Sequence, residues 1–84
     1  MRTTGKIKIG AREIKIIHKK MKDLGIAHYD RSEIWLQKGI AKEAQEAVLI
    51  HEIGHFLNST MSHAVWDSLS EQLYATLKIN KMLK

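Results

Sequence analysis

Lys6-Ile7-Lys8-Ile9 alternates charged and apolar side chains, the period-two signature of a half-buried strand. Gly10-Ala11 can turn the chain, and Glu13-Ile14-Lys15-Ile16-Ile17 reads as a second strand, so the pair predicts a hairpin. A helix over residues 11–24 competes for the same stretch, because Ile14, Ile17, Met21 and Leu24 stand at helical spacing; a short helix after the second strand would satisfy both patterns. Gly25 interrupts them. Ile26-Ala27-His28-Tyr29 then predicts a short strand, Asp30-Arg31-Ser32 a turn, and Glu33-Ile34-Trp35-Leu36-Gln37 the returning strand. Ile34 and Leu36 share one face of that strand and Glu33, Trp35 and Gln37 the other. Trp35 on the more polar face is either packing at the sheet rim or a wall of a substrate groove.

The periodicity changes after the Lys38-Gly39-Ile40 link. Residues 41–58 carry no Pro and are rich in Ala, Glu, Leu and Ile, residues that lose little on entering a helix. No Ser, Thr, Asp or Asn stands at its start, while Glu43 and Glu46 suit the positive helix end. Leu49, Ile50, Ile53, Phe56 and Leu57 make the bulky side, expected to pack in the core. Ala44, Ala47 and Val48 share the opposite, nearly bare side with His51 and His55. Gly54 costs about 1 kcal/mol against Ala in mid-helix, which another backbone approaching closely would explain. A polar link at residues 58–63 leads to a second helix over residues 64–81, with Trp66, Leu69, Leu73 and Leu77 as its bulky stripe. A second copy of the chain is an alternative cover for that stripe.

The first of these helices carries the chemistry. His51-Glu52-Ile53-Gly54-His55 places two imidazoles four residues apart, hence on one helix face, where both can bind one Zn²⁺. Glu52 projects beside them, within reach of a metal-bound water as its general base. A catalytic zinc takes three protein ligands and keeps a fourth position open. Glu71, on the second helix, is the first candidate for the third ligand. Asp67, one turn earlier, and His63, in the connecting loop, are the others. Glu71 also has a structural alternative, since Ser68-Leu69-Ser70-Glu71 fits a capping box that would start the helix at Leu69. Asp67 and Tyr74 are candidates to orient a ligand histidine.

At 84 residues the chain is expected to form one small domain, residues 1–84, with a limited core. It has no cysteine, so neither disulfides nor thiolate ligands contribute. One bound zinc ion would add to folding stability, leaving a folded but looser metal-free form. No apolar run approaches membrane-spanning length and no signal segment is evident, so a soluble cytoplasmic protein is expected. The net charge of +5 concentrates at residues 15–22 and 78–84. No aromatics interleave with these lysines along the chain, so a solvated surface is expected rather than a nucleic-acid interface.

These parts together resemble the small zinc metallopeptidases with a glutamate third ligand, the gluzincins. The chain looks most like the minimal versions of phage and prophage genomes, related to the ImmA/IrrE metallopeptidases and the minigluzincins. The likeness covers roughly residues 24–80: the strand Glu33-Ile34-Trp35-Leu36, then Ala47-Val48-Leu49-Ile50 running into the HEIGH motif, then Glu71 within Ser70-Glu71-Gln72-Leu73-Tyr74-Ala75. It implies a small zincin-like α+β domain, with short antiparallel strands before the motif helix and a C-terminal helix. It implies metalloendopeptidase activity, with His51, His55 and Glu71 as zinc ligands and Glu52 as base. It also implies an extended peptide paired with the strand Ile34–Gln37. His63, His28 and Tyr29 are candidates to stabilise the oxyanion. A non-catalytic, zinc-stabilised module that binds a protein partner is the alternative function.

Overall fold

The computed structural model describes residues 1–58 and 62–83. Four strands are followed by two helices, so the chain is α+β. Strand β1 (Gly5–Ile9) and strand β2 (Arg12–Lys19) form the expected hairpin. The competing helix over residues 11–24 does not form, because alternation puts Ile14 and Ile16 in the core and Glu13 and Lys15 in solvent.

Strand β3 (Gly25–His28) and strand β4 (Glu33–Gln37) complete a sheet of order β1-β2-β4-β3. Two of its three pairings are antiparallel, as expected. The third, β2 with β4, is parallel, with Ile16 opposite Ile34 and Ile17 opposite Trp35. The chain leaves β2, skips one strand position to lay β3 on the outside, and then turns back to run β4 through the gap. Arg12 fastens that turn, donating to Ser32 Oγ at 2.8 Å and to the Tyr29 carbonyl. Strand β4 is therefore interior and paired on both sides. The expectation that Ile34–Gln37 offers its backbone to a peptide fails for that reason.

Helix α1 (Lys42–Leu57) lies on the face carrying Ile14, Ile16, Ile34 and Leu36. Leu49 is fully buried against them, and Val48, Ile53 and Phe56 pack around it. Leu57, expected in this core, is exposed at the last turn. No side chain caps the start of α1. Helix α2 (His63–Ile79) is capped by Ser62, whose hydroxyl accepts from the Val65 N–H at 3.3 Å. His63 is thus the first residue of a helix rather than part of a loop, and the alternative start at Leu69 is not used. The hydroxyl of Ser68 instead accepts from Gln72. The link between the helices lies, at residues 59–61, outside the described residues. No helix among the described residues is long and apolar enough to cross a membrane.

Helix α2 packs against α1 and no other element. Its docked face differs from the expected stripe. Trp66, Ser70, Tyr74 and Leu77 turn inward, whereas Leu69 and Leu73 are exposed. Polar groups on α1 explain the rotation. Ser70 meets His51, and the Tyr74 hydroxyl donates to Glu46 at 3.2 Å; buried polar groups need such partners. The mid-helix glycine is explained by a side chain rather than a backbone. A Cβ on Gly54 would stand 2.1 Å from two ring carbons of Trp66. The indole N–H donates to the His51 carbonyl at 2.6 Å.

Gly54→Ala opposes two effects: a gain of about 1 kcal/mol in helix propensity and an overpacking cost of about 1–3 kcal/mol. The indole is too large to slip aside, so a net loss of about 1–2 kcal/mol is expected in chemical denaturation, with a red-shifted Trp66 emission. A stabilised variant with unchanged emission would place α2 elsewhere.

Candidate metal centre

One helical turn sets His51 and His55 side by side, and their Nε2 atoms lie 3.0 Å apart. His63 approaches from the first turn of α2, its ring centroid 4.7 Å from that of His55. One nitrogen from each of the three rings falls within 4.8 Å of the others.

The tautomer of His51 follows from its neighbours. The Ser70 hydroxyl donates to the Asp67 carbonyl at 3.1 Å, so towards His51 Nδ1, 3.3 Å away, it accepts. The Asp67 carboxylate lies 3.4 Å from the same nitrogen. Both partners favour a proton on Nδ1, which leaves the Nε2 lone pair facing His55. Two imidazole lone pairs at that distance repel unless a proton or a cation lies between them. A tetrahedral zinc with Zn–N bonds of about 2.0–2.1 Å spaces its nitrogens by about 3.3 Å, near the 3.0 Å between the His51 and His55 Nε2 atoms, with a His63 nitrogen within 4.8 Å. His55 is held below the ordinary histidine pKa by burial and then by His51 and His63, which keeps it neutral and able to ligate. The donor set therefore fits a divalent, nitrogen-preferring ion such as zinc.

Asp67 stands where an orienting group was expected. Tyr74 does not, because its hydroxyl is taken by Glu46. Glu71 is exposed on α2 and lines the larger cavity, of about 440 Å³, together with His51, Glu52 and Asp67. It is not among the three residues whose donor atoms converge. His28 faces the far side of the sheet, against Trp35, and is no oxyanion candidate. Tyr29 does line the smaller cavity, of about 300 Å³, with Glu52 and the three histidines. Its pKa is raised by partial burial and then by Glu52, so it keeps its proton at neutral pH.

Glu52 is only 6 % exposed yet lines both cavities. Burial, followed by the charges of Asp23 and Asp67, pushes its pKa up to about 7. The space for it depends on Gly25. A Cβ there would meet Val48 Cγ1 at 2.4 Å and Glu52 Oε2 at 3.1 Å, so only glycine lets β3 pass this close to α1. Strand β3 is also one of the two edges of the sheet, and Gly25, Ile26 and Ala27 line the smaller cavity. Sequence reasoning missed Ser70, Gly25 and Trp66 as parts of the site. Gly25 had already marked a break in pattern; nothing local distinguished the other two.

Comparison of the chain with models of protein families, with curated proteins and with solved structures finds no match.

The Glu52 carboxyl sets a pH dependence for the metal-free protein. Its folded pKa lies above the unfolded value, so the folded state binds the extra proton and stability falls as pH rises from about 4.5 to about 7. At about 1.4 kcal/mol per pKa unit the loss is at most about 3 kcal/mol. Glu52→Gln is expected to raise the melting temperature of the metal-free protein by several degrees at pH 8 and hardly at pH 4. Equal shifts at both pH values would mean that this carboxylate is not buried unpaired.

Proposed function

We propose that the chain is a zinc-dependent hydrolase of peptide bonds. The observation that carries this reading is the convergence of three imidazoles beside a buried carboxylate that opens onto the same cavities. On this reading His51, His55 and His63 would hold the ion, with Asp67 and Ser70 orienting His51. Glu71 is the alternative third donor, one cavity wall away. The resemblance to minimal glutamate-ligand metallopeptidases belongs to this proposal, as does a cytoplasmic location.

A zinc ion bound there supplies Lewis acidity towards a carbonyl oxygen and increases the acidity of water. The chain's own groups do the rest. Glu52 takes the proton from the attacking water and passes it to the leaving amine. The Tyr29 phenol donates to the oxygen on which negative charge develops. The free edge of β3 pairs with an extended peptide, whose backbone then runs along the smaller cavity past Glu52.

A second reading rests on the isolation of α2, which packs on α1 alone. An ion gripped by His63 from one helix and by His51 and His55 from the other staples the two together, and its binding free energy adds to folding. That role needs no hydrolysis and leaves a zinc-stabilised module for a protein partner.

Glu52→Gln is expected to keep one zinc per chain while losing at least about a hundredfold in cleavage of a mixed peptide pool. A folded, zinc-loaded wild type that cleaves nothing decides for the module. For the ligands, His63→Ala is expected to weaken zinc binding more than about tenfold, and Glu71→Gln less than about threefold, in a chelator competition titration. The reverse order would make Glu71 the third ligand.

A further inference from the structure

Among the described residues no helix or strand lies over the sheet face turned away from α1, and its pattern is not that of a plain solvated surface. The register lines up Lys6, Lys15, Glu33 and His28 in one row across the four strands, and Ile17, Trp35 and Ile26 in the next. Lys8 and Lys19 flank these rows on the same face. Lys19 Nζ stands 4.5 Å, and the Arg31 guanidinium 5.7 Å, from the Trp35 ring centroid. Both acids of the face are engaged, Glu13 by Lys6 at 3.4 Å and Glu33 by the Trp35 indole N–H at 2.9 Å. The remaining charge is positive.

Two features here are costly for the free protein. Lys6 and Lys15 are directly opposed across the hairpin, a like-charge pair that destabilises a sheet. His28 Nε2 is buried without a hydrogen-bond partner, the only such side-chain atom among the described residues. A polyanion relieves the first; the second lies beneath the surface, beside the Trp35 ring. The aromatic row beside the cations selects among polyanions, because stacked bases need a ring and phosphates need lysines. A flat sheet suits unstacked bases; reading a duplex calls for an element that enters a groove.

We infer that this open face binds single-stranded nucleic acid, with phosphates paired to Lys6, Lys8, Lys15, Lys19 and Arg31 and a base stacked at Trp35. The base displaces the Lys19 and Arg31 cations from the ring, and these turn to the flanking phosphates. Along the sequence no aromatic residue interrupts the lysines; strand pairing brings Trp35 and His28 among them. The candidate metal centre lies on the other side of the sheet, so this binding is independent of hydrolysis.

The test is anisotropy of a fluorescein-labelled ten-nucleotide oligo-dT or oligo-U with the full chain, read together with tryptophan quenching. Binding is expected to weaken with salt at a log–log slope of about −3 to −4, for the five phosphate contacts at about −0.7 each. Lys15→Glu with Lys19→Glu is expected to weaken it more than tenfold, and Lys81→Glu, just past the end of α2, less than twofold. Trp35→Leu keeps the apolar row and is expected to weaken binding about fivefold and to remove most of the quenching, with an unchanged circular dichroism spectrum as the folding check. No binding at 50 mM salt overturns the proposal, as do equal losses from all the lysine variants. Equally tight binding of inorganic polyphosphate or an oligoglutamate peptide would reduce the face to a general anion or acidic-protein surface, and so also overturns it.

Discussion

The indole of Trp66 seated on Gly54 is the contact on which the site depends. Among the described helices and strands α2 packs on α1 alone, so this insertion, with the N–H bond to the His51 carbonyl, is what brings α2 alongside the histidines. His63, Asp67 and Ser70 all ride on that helix. The same ring therefore fixes the position of His63 and of the two groups that set the His51 tautomer. A larger residue at position 54 would separate the two halves of the site while leaving the sheet intact.

The site is assembled at the expense of stability. Glu52 is buried near two further carboxylates, Asp23 and Asp67, and among the described residues no ion pair offsets its charge. A chain of this size has little core to spare: its fully buried apolar side chains are Ile14, Ile34, Leu36 and Leu49. Such a concentration of unfavourable groups in one place marks a functional site more readily than a structural one. A cation bound there would remove much of the conflict, since it would satisfy the imidazoles and give the carboxylate an opposite charge nearby.

The parallel pairing of β2 with β4 organises both faces of the sheet. By occupying the gap, β4 pushes β3 to the edge, where its backbone passes the candidate metal centre. The same register places Trp35 in the middle of the far face, between Ile17 and Ile26. One topological choice thus separates an acidic, metal-capable side under α1 and α2 from a basic, aromatic side open to solvent.

The local patterns determined much of this. Alternation located the strands, and helical spacing put His51 and His55 on one face, because both depend on the chain's own periodicity. Charge and the lack of cysteine limited the metal donors to imidazoles and carboxylates. What the tertiary structure decided was everything set by distant partners. Strand order cannot be read from alternation, so β4 looked available to a peptide when it is interior. The face of α2 that docks was set by His51 and Glu46 on α1, which draw in Ser70 and Tyr74 against the larger pull expected of Leu69 and Leu73. The choice of His63 over Glu71 beside the two histidines depends on where the first turn of α2 comes to rest. Short-range spacing carries no information about that distance, because it arises from packing between residues far apart in the chain.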